Sequence, residues 1–439
     1  MARRATCYRY WVLIVLSLVT FTNYLDRATV SVAVDEIKAE FNMNDIQMGF
    51  LLSQFVWGIV IVIPLIAYLL QRFGARSVGG YGVLGFSLMT LFTPFSTGFY
   101  SFAFFRLGLG AFEAPTFPVN SFFARKWFPR RDRAKAVSAY MAASFAGLAF
   151  AVPVLTWILG VFATWRAVFV FGGIVGIVVS IIWFLSIRSD DPSKSRFVSK
   201  EELEYIQSDS PDAKDNKVKA RASFRDWVAV LTHRRLVGLY IGAFSTSTIV
   251  FFFISWFPNY LKSNLGFDLK SGALYLSSAP YIAGIFGMLF AGWLSDRLVK
   301  AGFTPGNARK VTVTVGLTGS IPLLFIPIMG GAPRWVLFSL VIVVFFFAGM
   351  ANTAWLLASE IATPRLLGLT TGVYGFWVNL FGASSPLVVG FILQFTGHNY
   401  GAVFTYLGIA ALIGVIAYVF VIDKVESIPD RVKTKTNPA

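Results

Sequence analysis

The sequence is poor in the residues on which most chemistry depends. One cysteine (Cys7) and two histidines (His233 and His398) occur in 439 residues. A lone cysteine excludes a disulfide framework and a thiolate metal cluster. No histidine pair has the spacing of a metal-binding helix, and neither a Walker loop nor a nucleophile-elbow serine is present. No enzyme and no cofactor is therefore expected. Charge is scarce as well: Asp, Glu, Lys and Arg make up 14% of the chain, against roughly 25% in soluble domains. With 56% apolar residues and a mean hydropathy of +0.67, a surface of this composition could not keep soluble domains in water.

What is abundant is long apolar runs. A membrane span needs about 20 mostly apolar residues. Twelve candidates fall near 10–34, 46–70, 77–97, 99–124, 135–158, 165–187, 236–261, 272–295, 310–330, 334–359, 367–394 and 401–422. The expected fold is an all-α membrane protein of twelve transmembrane helices in two six-helix halves. The halves are residues 1–187 and 236–422, joined by a polar linker over 188–235 and followed by a tail over 423–439. Within the linker, Ser199-Lys200-Glu201-Glu202 has capping-box spacing and opens a short helix through Ile206. The first apolar run is too long for a signal peptide and has no small-residue cleavage site, so it reads as a retained span.

The net charge of +16 reflects topology. With the N-terminus inside, the external loops hold only Lys38, Arg166, Lys262, Lys270 and Arg334, and Arg27 and Arg106 lie within spans. The other Lys and Arg residues fall in internal loops and tails, a strong positive-inside bias that places both termini in the cytoplasm. Basic residues never form a stripe with interleaved aromatics, so no nucleic-acid partner is expected. The expected partners are a small carboxylate substrate and the lipid bilayer, with a monomer as the working unit.

Two cytoplasmic turns occupy corresponding places in the halves: Leu70-Gln71-Arg72-Phe73-Gly74-Ala75-Arg76 and Gly292-Trp293-Leu294-Ser295-Asp296-Arg297. Such internal symmetry suits a transporter that rocks about a midplane site. Arg72, Gly74, Arg76, Asp296 and Arg297 are the candidate gating residues.

A charge at mid-span costs roughly 2.5–3.5 kcal/mol on insertion scales, so each one calls for a reason. Four stand out: Asp26 and Arg27 in the first span, Arg106 and Glu113 in the fourth. At 1.5 Å per residue, Asp26 lies ~12 Å and Arg106 ~10 Å below the outer surface, with Glu113 about two turns deeper. Asp26 and Arg106 are expected to pair, either as part of the transport chemistry or as a staple between helices. Residues 26 and 27 point about 100° apart. Asp26 is therefore expected to face the fourth helix and Arg27 the cavity, where its fork of donors suits a carboxylate. Asp26 and Glu113 are candidate proton carriers. Pro115 and Pro118 should break the fourth helix beside Glu113. Asn352, Trp355 and Asn379 could face the cavity; for the asparagines, helix-to-helix hydrogen bonding is an equal alternative.

These residues resemble the anion:cation symporter family of the major facilitator superfamily. The likeness rests on Asn23-Tyr24-Leu25-Asp26-Arg27, on Arg106-Leu107-Gly108-Leu109-Gly110-Ala111-Phe112-Glu113-Ala114-Pro115, on Trp127-Phe128-Pro129, and on Ser255-Trp256-Phe257-Pro258. It implies proton-coupled import of an organic anion such as a sugar acid by alternating access, in the bacterial inner membrane, with protons as coupling ion. It also implies proton coupling through Asp26 and Glu113, pairing of Arg106 with Asp26, and a substrate site at Arg27, Glu113, Tyr24, Asn352, Trp355 and Asn379. Ile59 and Ser144 stand where the family usually has Tyr and Gln, and Ala67 and Gln71 where Gly and Asp are customary. The first two departures make less hydroxylated carboxylates more plausible. An uncoupled facilitator or exchanger of aromatic or short aliphatic carboxylates is the alternative.

Overall fold

The computed structural model describes residues 6–208, 223–266, 278–329, 332–363 and 365–426. The expected Lys270, most of the tail and linker residues 209–222 lie outside the described residues. The N-terminal part comprises α1 (Tyr8–Val32), α2 (Val34–Phe41), α3 (Asp45–Phe73), α4 (Ala75–Phe92), α5 (Phe99–Glu113), α6 (Thr116–Trp127), α7 (Arg130–Phe162), α8 (Trp165–Ser186) and α9 (Lys200–Gln207). Then follow α10 (Phe224–Thr232), α11 (Arg234–Ser255), α12 (Phe257–Ser263), α13 (Ala279–Lys300), α14 (Pro305–Thr318), α15 (Arg334–Ala351), α16 (Trp355–Ile361), α17 (Leu367–Phe395) and α18 (Tyr400–Ile416). Each of the twelve apolar runs overlaps a described helix, though residues 272–277 lie outside the described residues and 326–329 form turns. Nine of the described helical stretches are long and apolar enough to cross a membrane. The other three runs coincide with α1, with the broken pair α5–α6, and with α14 and the 3-10 turn Ile321–Phe325 that follows it.

Local sequence explains the boundaries. Asn44 and Gln47 form a capping box at the start of α3, each side chain accepting from the other's backbone N–H at 2.8 and 3.0 Å. Pro115 lacks an N–H, and α5 ends two residues before it, at Glu113. Ser199 caps α9 as expected, accepting from Glu202 N at 3.2 Å. The other half of that box is diverted. Glu202 instead collects Thr6 Oγ1, the backbone N–H groups of Tyr8 and Arg9, and the Arg9 guanidinium. A carboxylate at the first N–H groups of α1 suits the positive end of that helix.

The described residues form two compact units. The first is drawn from Met1–Asn216, Val250–Ile282 and Gly382–Val403. Here α1 lies against α7 and α8, α3 against α5, and α4 against α8. Its core is aliphatic and aromatic, with Phe55, Phe86, Phe123, Trp127 and Trp183 fully enclosed. The end of α11 and α12 also belong to this unit, and Trp256 Nε1 donates to the Pro386 carbonyl at 3.0 Å. The charges of the short helix α2 all go to other segments. Asp35 and Glu36 meet Lys262 at 2.9 and 3.1 Å, Lys38 meets Asp45, and Glu40 forks onto Arg166 at 2.6 and 2.7 Å. Asn259 Nδ2 donates to Asp35, and His398 Nδ1 lies 3.1 Å from Asp45.

The second unit is drawn from Lys217–Ile249, Ala283–Phe381 and Phe404–Ala439. In it α14 packs on α15 and α16. Arg365 forks onto Asp226 of α10 at 2.6 and 3.0 Å, and Arg309 pairs with Glu360.

Candidate functional site

The four intramembrane charges all lie in the first unit, and all are buried: Asp26, Arg27, Arg106 and Glu113 are 0, 8, 1 and 2% exposed. Helix α5 buries Phe102, Arg106, Leu109, Gly110 and Glu113, one face at helical spacing. That face crosses α3 at almost no separation. A Cβ on Gly110 would sit 1.7 Å from the Phe55 carbonyl oxygen, and one on Gly58 would sit 2.2 Å from that of Leu107. Only glycine permits this approach, and it brings the Phe55 ring to the arginines.

Arg27 binds Glu113: its Nε and Nη2 both donate to Glu113 Oε2 at 3.3 Å. The same guanidinium lies 4.4 Å from the centre of the Tyr24 ring and 5.2 Å from that of Phe55. Arg106 also lies 5.2 Å from the Phe55 ring centre. One aromatic ring thus faces two guanidinium groups, and cation–π attraction offsets part of the burial of both. Among the described residues, no hydrogen bond reaches the three side-chain nitrogens of Arg106 or Asp26 Oδ1, while the Asn23 side chain hydrogen-bonds to the Glu113 carboxyl.

The expected Asp26–Arg106 ion pair is not formed. Asp26 instead accepts from Thr90 Oγ1 of α4 at 3.2 Å and packs beside Gly172 of α8. Arg27, and not Asp26, faces α5, while Asp26 faces α4 and α8. Matching depths along two helix axes overlooked side-chain length. An arginine reaches along its neighbour to a carboxylate at another level, whereas the short aspartate is confined to its own. Glu113 therefore has Arg27 as its cation, and Arg27 is not free in an open cavity.

The other expected site residues keep to their own helices. Tyr24 lies under Arg27. In the second unit, Asn352 opens the 3-10 turn between α15 and α16, Trp355 begins α16 and is 46% exposed, and Asn379 Nδ2 donates to Gly375 O at 2.8 Å. Of the gating candidates, Gly74 has φ +78° and joins α3 to α4. Its neighbours Ala75 and Arg76 donate backbone N–H groups to Asp190 at 3.0 and 2.6 Å, while Arg76 Nε donates to Ile187 O at 2.6 Å. An acid thus serves the turn that lacks the customary aspartate at Gln71, but it comes from beyond α8. Arg72 lies over Phe73, and Arg297 stacks on Trp293 at 4.8 Å with Asp296 exposed beside it. Sequence reasoning missed Phe55, Thr90 and Asn23. Only Asn23 carried a signal, standing one turn before Asp26 and Arg27 on the same helix.

Comparison with known proteins follows the same lines. The profile of the Major Facilitator Superfamily matches residues 16–386. The chain is 36% identical to the D-galactonate transporter of Escherichia coli O6:H1 (strain CFT073), over 96% of this chain and 97% of that one. It is 31% identical to a probable galactarate/D-glucarate transporter, GudP, of Escherichia coli (strain K12), with 97% and 96% covered. Among solved structures, a D-xylose-proton symporter superposes with a TM-score of 0.71 at 16% identity, covering 95% of this chain and 98% of that chain. A bacterial homologue of the lysosomal transporter Spinster gives 0.69 at 19% identity, with 95% of each chain covered.

Proposed function

The chain belongs to the Major Facilitator Superfamily, as a multi-pass transporter of the bacterial inner membrane and not an enzyme; within it, we propose that the protein imports a sugar acid together with at least one proton. The observation that carries this reading is the Arg27–Glu113 contact at 3.3 Å. A guanidinium is the natural receptor for a substrate carboxylate, and in this protein it is held by an internal carboxylate. When Glu113 takes up a proton, its charge-assisted grip is lost and Arg27 becomes available to the incoming anion. Proton and anion then enter together, because either alone leaves a buried charge uncompensated. Tyr24 and Phe55 hold the guanidinium plane in place meanwhile. Asn352, Trp355 and Asn379 are assigned to the substrate's remaining groups, and Asp26 with Arg106 to a second proton step. The turns bearing Arg72, Gly74, Arg76, Asp296 and Arg297 are assigned to gating on the cytoplasmic side.

Sugar acid is favoured because the relatives named above are sugar-acid transporters across nearly their whole length. One observation favours testing simpler anions as well. Ile59 is buried, and the Ser144 hydroxyl donates to Met141 O at 2.6 Å, so neither supplies a free donor to a polyol. The test is uptake of labelled D-galactonate, D-glucarate and benzoate into proteoliposomes with an alkaline interior. Accumulation of a sugar acid that collapses with a protonophore is the expected result. Uptake indifferent to the gradient would make the protein a facilitator or exchanger.

A further inference from the structure

Asp26 is entirely buried and pairs with no cation among the described residues, so what sustains it there has to come from its neighbours. The charged groups that act on it, Glu113 and Arg106, both stand on α5. From α8 it meets Gly172, where a Cβ would lie 2.8 Å from Asp26 Oδ1. From α4 it meets Thr90, whose hydroxyl lies 3.2 Å from Asp26 Oδ2 and 3.1 Å from the Phe86 carbonyl oxygen. That hydroxyl has one proton and two acceptors at nearly equal distance. Other hydroxyls in the spans bond back one turn along their own helix, as Thr20 does to Leu16 O and Thr156 to Val152 O. Thr90 does this too, but it also faces an acid.

We propose that Thr90 is a two-way hydroxyl that holds Asp26 in both of its charge states and is a positioning residue for the coupled proton. This rests on the proton-coupled reading above. With Asp26 ionised, Thr90 donates to Oδ2. When a proton binds Oδ2, the new O–H donates to Thr90 Oγ1, and the Thr90 proton turns to Phe86 O. The arriving proton stays on Asp26 and Thr90 keeps its own, so no bond other than Oδ2–H is made. Neither state leaves a buried donor or acceptor unmet at this contact, which allows a fully enclosed carboxyl to load and unload. Gly172 leaves the opposite oxygen free of side-chain crowding during the exchange.

Thr90→Ser keeps the rotor and Thr90→Val keeps the shape without it. In proteoliposomes with labelled D-galactonate, the serine variant is expected to reproduce the wild-type pH profile. The valine variant removes the donor that favours the charged form, so its uptake profile should move toward higher pH by about one unit. Its ratio of gradient-driven accumulation to counterflow should fall about tenfold. Infrared difference spectra of purified protein, with the Asp26 carboxyl band assigned through Asp26→Asn, give a readout independent of substrate. That band should shift in Thr90→Val and stay in place in Thr90→Ser. A valine variant with wild-type band and profile overturns the proposal, as does a serine variant as defective as valine. If wild-type uptake ignores the gradient, the coupling reading fails while the infrared band still decides the role of Thr90.

Discussion

Arg27 reaches Glu113 through two nitrogens onto a single oxygen, Oε2, and makes no hydrogen bond to the second oxygen, Oε1. The Asn23 side chain also hydrogen-bonds to this carboxyl. The arginine thus grips one side of the carboxylate only, and a proton can bind at Oε1 without first displacing it.

Arg27→Ala should abolish accumulation and weaken anion binding by ten- to a hundredfold, as expected when a charge-assisted contact of about 1.5–3 kcal/mol is lost. Arg27→Lys keeps the charge without the planar fork and should recover only part of the affinity. Isothermal titration of purified protein with D-galactonate measures both. Unchanged affinity in the alanine variant would remove Arg27 from the site.

Glu113→Gln keeps the shape and fixes the side chain in a neutral state. Gradient-driven accumulation should disappear, whereas counterflow between equal pools should continue, because the guanidinium is no longer held by a charge. Accumulation at the wild-type level in this variant would take Glu113 out of the coupling.

Phe55→Leu retains apolar volume and removes the ring that faces Arg27 and Arg106 at 5.2 Å. Each buried cation–π contact is worth about 1–2 kcal/mol. A lower thermal midpoint in detergent is therefore expected, together with roughly tenfold weaker anion binding. If both values match the wild type, the ring only fills space.

At the α10 turn, hydrogen bonds from Arg365 hold the Asp226 carboxyl below the usual carboxylate range, with the Ser223 backbone N–H adding to the effect. A lowered folded-state value means that the contact stabilises the fold above the unfolded value of about 3.9 and is lost as pH falls through the folded one. Thermal unfolding between pH 7 and pH 3 should show Asp226→Asn losing less on acidification than the wild type. Parallel curves would show that the pair contributes nothing to stability.

The sequence disclosed helices far better than directions. Apolar run length located the nine stretches long and apolar enough to span, and Pro115 and Ser199 announced a break and a start, because these signals act within a few residues of their effect. The short helix α2 went unseen: Val34, Ile37 and Phe41 recur at helical spacing, but eight residues directly after a span are too few to separate from it, and its partners lie as far along the chain as Lys262. The site was legible as a set of residues, Asp26, Arg27, Arg106 and Glu113, because charge in a span is rare. Their pairing was not. Helical spacing gives the angle between Asp26 and Arg27 but not which neighbour each one faces. That is settled by Gly58 and Gly110, which bring α3 against α5, and by Thr90 and Gly172, which make room for an acid on the far side.

The four charges of α2 have a mechanical consequence. The fork of Glu40 onto Arg166 ties this helix to the start of α8. Lys262, by contrast, sits at the end of α12 and is shared by two acids. One lysine thus serves two acids at a partly exposed contact, and dissolved salt should weaken both attractions together.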